Sequence, residues 1–94
     1  MANFDKLFSN LESMANGANT SCSDFTTLLV RLGFVINDCS SGGHKIAEHP
    51  AVPLDEYPDF NCGHNPGTTV KRPYIKKLFN FVKQHREAIK EHMK

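Results

Sequence analysis

The chain contains no tryptophan and only three cysteines among its 94 residues. Without Trp, the seven phenylalanines must supply most of the bulky core volume. Three cysteines cannot all pair within one chain, and so low and odd a count argues against a disulfide-dense secreted scaffold. The expectation for Cys22, Cys39 and Cys62 is therefore reduced thiols in a reducing compartment. No apolar run approaches the roughly 20 residues that cross a bilayer. The opening Met1-Ala2-Asn3-Phe4-Asp5-Lys6 lacks the charged-then-apolar layout of a signal peptide. The expected chain is soluble and cytoplasmic, with no membrane partner. Internal repeats and low-complexity tracts are absent too, and an apolar fraction of 39% supplies one core, hence one domain over residues 1–94.

What is present is a charge split that the net value of +1 conceals. Residues 1–65 carry three basic against eight acidic side chains, a net of −5, whereas residues 66–94 carry eight basic against two acidic, a net of +6. A polyanion partner, an acidic protein partner and a merely solvated cationic helix all fit this split.

Phe4, Leu7, Phe8, Leu11 and Met14/Ala15 recur at helical spacing, which predicts a helix over 3–16 that Asn16-Gly17-Ala18-Asn19 stops through a left-handed end. Ser23 or Asp24 is expected to cap a second helix with Phe25, Leu28, Leu29 and Leu32 as its buried stripe, ended by Gly33. Phe34-Val35-Ile36-Asn37 and His44-Lys45-Ile46-Ala47-Glu48 flank a polar Gly-Gly turn and read as a hairpin. Residues 51–59 hold Pro53, Pro58 and three acids and read as a loop; Phe60 to His64 is a weak third strand. Pro73 suits the first turn of a last helix, along which Tyr74, Ile75, Leu78, Phe79, Val82, Ile89 and Met93 keep helical spacing to the end. Lys76, Lys83 and Lys90, seven apart, form a basic line beside that stripe. The order helix, helix, strand, strand, strand, helix is that of a small α+β domain with helices packed on an antiparallel sheet. Residues 3–22 form an extra N-terminal helix and linker, and residues 85–94 a C-terminal extension whose Ile89 and Met93 are available to a partner.

The candidate chemistry sits at Ser41-Gly42-Gly43-His44-Lys45. Glycines let the backbone turn tightly and approach a ligand. An imidazole just past the turn, with a lysine beside it, suits a phosphate or an acid–base step; a surface histidine with no task fits the same pattern. Cys39, His44, His49, Cys62 and His64 invite a zinc reading, but their spacings do not match the paired ligands of common structural zinc sites. Phe60, Phe79, Phe81 and Tyr74 have aromatic faces that could stack on bases, yet a Trp-free domain needs them in its core.

Three motifs together resemble the HicA family, the toxin half of bacterial HicA–HicB toxin–antitoxin pairs. They are Leu32-Gly33-Phe34 leading into a strand, Gly42-Gly43-His44 followed by a strand ending in His49-Pro50, and the helix start Lys71-Arg72-Pro73-Tyr74-Ile75-Lys76-Lys77. The resemblance runs from about Phe4 to about Gln84. It implies a double-stranded-RNA-binding-like fold, α-α-β-β-β-α, and a small endoribonuclease that cleaves mRNA and is neutralised by a HicB-like antitoxin. The family's essential histidine falls on His44, as general acid or base. Backbone N–H groups of Gly42 and Gly43, together with Lys45, are the implied phosphate contacts, and neither metal nor other cofactor is required. Lys71, Arg72 and Lys76 at the start of the basic helix are the further candidates for RNA backbone contact. Ser41, Gly43 and Lys45 stand where the family often has Lys or Arg, a serine and a second histidine. A non-catalytic RNA-binding or protein-interaction module of the same fold is the alternative.

Overall fold

The Phe4 stripe forms the helix that its spacing predicts, α1 (Phe4–Asn16), opened by the Asn3 side chain, which accepts from the Lys6 N–H at 2.8 Å. In the computed structural model, residues 3–17, 20–38, 43–62 and 67–93 are described. After α1 come α2 (Cys22–Arg31), β1 (Val35–Asp38), β2 (His44–Glu48), β3 (Asp59–Asn61), α3 (Arg72–Gln84) and α4 (Arg86–His92). This is a small α+β domain in which, among the described residues, four helices accompany one three-stranded antiparallel sheet of order β1-β2-β3. No helix among the described residues is long and apolar enough to cross a membrane.

Pairing puts Ile36 opposite Ala47 and Lys45 opposite Phe60, while His44 faces Asn61 and Ile46 faces Asp59. Side chains alternate along a strand, so the first set shares one face and the second set the other. Ala47 and Phe60 are fully buried, which makes theirs the core face; Phe60 meets Phe25 of α2 edge-to-face with centroids 5.0 Å apart. Phe8 of α1 stacks on Phe79 of α3 at 5.0 Å, joining the outer helix to the basic one.

Four details depart from the sequence expectations. The first is the cap of α2, which is Ser21 rather than Ser23 or Asp24; its hydroxyl accepts from the Asp24 N–H at 3.1 Å. The cause is tertiary: Cys22 N–H donates to Thr68 C=O and Val70 N–H to Thr20 C=O, both at 2.8 Å, which pins the chain one residue ahead of the helix. Gly17, at the end of α1, is extended (φ −93°) rather than left-handed. The last helix also breaks at His85 (φ −109°, ψ 24°) instead of running straight. The bend turns Ile89 into the core, where it is fully buried, so this residue serves the chain's own interior and not a partner. Burying an Ile side chain is worth roughly 1.5–3 kcal/mol, enough to outweigh one irregular helical turn.

The fourth is the cysteine chemistry. Cys22 and Cys62 form a disulfide across 40 positions, with Cα atoms 5.4 Å apart and both residues buried. The reduced-thiol expectation is corrected for this pair. A count of three had disfavoured a dense scaffold, but one bridge needs only two cysteines brought together by the fold. Cys39 lies outside the described residues, as do Ser41, Gly42 and His64.

His49, just past β2, is buried and fully engaged: its Nε2–H donates to the Leu32 carbonyl at 2.9 Å, and its Nδ1 accepts from Ala51 N–H at 3.1 Å. It thereby ties the strand end to the last turn of α2. Gly33 must be glycine there, because its φ is +98° and a Cβ would lie 2.9 Å from His49 Nε2. Burial pushes the His49 imidazole below its ordinary value of 6.5, against the Leu32 hydrogen bond that favours the charged form and with help from neighbouring His92. As the pH falls through 6.5, the unfolded chain takes up a proton that the folded ring refuses, so stability declines. The denaturation midpoint is therefore expected to fall on acidification below that value. His49→Leu should remove this step and cost about 2–4 kcal/mol by stranding a buried carbonyl and a half-buried amide. Urea titrations from pH 8 to pH 5 check both; an unchanged midpoint in the variant would sink the assignment.

Candidate functional site

The outer face of the sheet carries the candidate chemistry. His44 opens β2 and Asp59 opens β3, and the register sets them diagonally on the same face. Nε2 of His44 lies 2.6 Å from Oδ2 of Asp59. An ionised carboxylate can only accept, so the imidazole donates from Nε2 and presents Nδ1 as its basic nitrogen. Nδ1 has no partner among the described residues. The other oxygen of Asp59 accepts from Nζ of Lys77 on α3. The three side chains form a Lys–Asp–His chain that is roughly one-third to one-half exposed, open to a ligand from solvent.

Lys77 first and His44 second hold the Asp59 carboxyl down to about 2, below its ordinary 3.8. Because its folded value is depressed, the stability from this network is fully present above pH 3.8 and is lost as the pH falls toward 2. Asp59→Asn is expected to flatten the acid limb of the stability profile in that window, read by circular dichroism at fixed denaturant. An acid limb identical to that of the parent chain would show that the contacts do not form in solution. Solvent screening at a site this open keeps the effect small.

The sequence candidates separate on this geometry. Lys45 follows His44 along the strand and so occupies the opposite face, where its Nζ pairs with Asp38 of β1. Adjacent strand residues cannot both address one phosphate, and the fold does not bring Lys45 to His44. Gly43 sits at the turn with φ +80°, a left-handed conformation that favours glycine, and its carbonyl accepts from Cys62 N–H at 2.8 Å. Lys71 precedes α3 and lines a groove with Asn61, Thr68, Thr69 and Tyr74. Asn61 is the direct cross-strand partner of His44. Arg72 points the other way, its Nε donating to the Gly17 carbonyl at 3.1 Å and fastening α3 to the end of α1. Lys76 is exposed and lies roughly 100° around the helix from Lys77, outside the cluster. The bend at His85 also breaks the predicted basic line, leaving Lys90 3.9 Å from Asp5 of α1.

Two site residues escaped the sequence reading. By sequence Asp59 falls in an acidic loop, and Lys77 is one of several helix lysines. The available signal is the polar pair Asp59 and Asn61 around Phe60, which marks an outward face once that stretch is known to be a strand. Neither His49 nor Cys62 is available to a metal, since both ring nitrogens of the first and the sulfur of the second are already bonded. Of the aromatics considered for base stacking, Phe60 is core, whereas Tyr74 is half-buried and borders the groove. No family model, curated protein or solved structure matches the chain.

Proposed function

We propose that the chain is a HicA-like, metal-independent endoribonuclease that cleaves mRNA on a double-stranded-RNA-binding-like fold, with His44 as general base. The observation that carries this reading is the His44–Asp59 pair, 2.6 Å apart on a solvent-open sheet face. RNA brings its own nucleophile, the 2′-OH. The chemistry then needs a base to accept that proton and a cation near the phosphate, without a metal. Nδ1 of His44 takes the proton, O2′ attacks the adjacent phosphorus, and the P–O5′ bond breaks. The products are a 2′,3′-cyclic phosphate and a 5′-hydroxyl whose proton comes from solvent. Asp59 holds the ring in the required tautomer and stabilises the imidazolium that forms. Lys71, with no acidic partner among the described residues, is the cation on the groove side.

Meeting mRNA requires the cytoplasm, and the Cys22–Cys62 bridge, of a kind more usual in oxidising compartments, is the observation that weighs against this location. A HicB-like antitoxin is the partner that would cover the His44 face. One observation favours the rival reading of a non-catalytic RNA-binding or protein-interaction module. The acids Asp38 and Asp59 occupy Lys45 and Lys77, which leaves fewer cations for a phosphate. Expression of the chain is expected to arrest growth, and His44→Ala to relieve the arrest. Equal toxicity of the two would end the catalytic reading, while salt-sensitive RNA binding without cleavage would establish the rival.

A further inference from the structure

The groove beside His44 has the size, lining and position of a subsite. It holds about 290 Å³ and is lined by Asn61, Thr68, Thr69, Lys71 and Tyr74. That volume lies just below the roughly 300–1,000 Å³ usual for ligand pockets, so it suits no more than one small planar group with its sugar. The lining combines an aromatic ring, an amide, two threonines and one cation. An amide side chain both donates and accepts, as the edge of a nucleobase does. Two separate links tie the groove to the His44 centre. Asn61 is the cross-strand partner of His44, and Lys77 lies over the Tyr74 ring at 5.4 Å while also binding the Asp59 that holds His44.

We infer that this groove binds one unpaired nucleotide of the RNA, next to the phosphate cleaved at His44. The inference rests on the ribonuclease reading and deepens it. Tyr74 supplies the stacking surface, Asn61 forms part of the groove wall, and Lys71 contacts the neighbouring phosphate. Stacking tolerates any base, so the preference is first for single-stranded over paired RNA, because only an unstacked base can enter. The arrangement also gives Tyr74 a use that core packing does not exhaust.

The test uses the full chain and a six-nucleotide single-stranded RNA that is 2′-O-methylated throughout, which removes the nucleophile and prevents cleavage. Amide resonances of Asn61, Thr68 and Thr69 and the ring resonances of Tyr74 are expected to shift on titration. Tyr74→Leu should weaken binding about tenfold, with Tyr74→Phe restoring it. Lys71→Gln should weaken binding and reduce the salt slope by about one contact. Binding unaffected by Tyr74→Leu and Lys71→Gln, with shifts elsewhere, would overturn the subsite and leave the catalytic reading standing. Equal affinity for a 2′-O-methylated duplex would overturn the claim of an unpaired nucleotide. Binding in the groove by a chain that cleaves no unmodified RNA would keep the subsite and end the catalysis. Should Tyr74→Leu fail to fold, the resonance map and Lys71→Gln decide the matter.

Discussion

His44→Ala is expected to lower the rate of RNA cleavage by about 10²- to 10⁴-fold, the usual contribution of a positioned general acid or base. The variant should still fold. His44 is partly exposed and leaves behind an Asp59 that keeps its pairing with Lys77. Affinity for uncleavable RNA should therefore be unchanged while kcat collapses, the signature of an interaction that matters in the transition state rather than in binding. Asp59→Asn is expected to fall between the two proteins, because Asp59 touches the imidazole and not the reacting atoms. On the proposed reading it is a positioning residue: its loss should lower kcat, while the freed Lys77 should lower KM rather than raise it. Single-turnover cleavage of a labelled RNA measures all three proteins. A His44→Ala chain that cleaves at the parent rate would remove the histidine from the mechanism altogether.

The second large effect is on stability. Cys22→Ala combined with Cys62→Ala is expected to cost about 4 kcal/mol, the value that chain-entropy arguments give for a loop of this length. The loop is set by a sequence separation of 40. Domains of this kind are stable by about 5–15 kcal/mol in total, so the loss is a large share of the whole. The melting temperature should drop by roughly 15–30 °C, given about 4–8 °C per kcal/mol for a chain of this size. The same bridge fastens the end of β3 to the start of α2, beside the Thr68 contact that pins that helix. Its removal should therefore loosen the Asn61 side of the candidate groove before the α1–α3 interface. Alkylation of the denatured, unreduced chain should label one cysteine, Cys39, and all three after reduction. Coincident melting curves with and without reductant would exclude the bridge as a source of stability.

Local pattern fixed a good deal of this protein in advance. Helical spacing was sufficient for α1, α2 and the start of α3, because an amphipathic stripe must bury one face wherever it packs. Pro73 and Gly33 punctuated the chain as expected, since their backbone preferences are intrinsic. His44 stood out because a glycine turn and an imidazole are adjacent in the chain, and strand β2 does begin at His44. Four things were illegible because they depend on residues far apart in sequence. The Cys22–Cys62 bridge needs the fold to bring its ends together. The break at His85 depends on where the core ends, since the apolar spacing through Ile89 is the same in a straight helix. His49 read as a strand terminator, and only burial between Leu32 and Ala51 makes it a buried clasp. Lys45 seemed the natural companion of His44, yet strand alternation turns it to the other face. Asp59 and Lys77, 15 and 33 residues further on, take that place. Sequence singled out His44 as the candidate imidazole; the antiparallel register of β2 and β3 decided which groups surround it, because a strand sends neighbours apart and brings distant residues side by side.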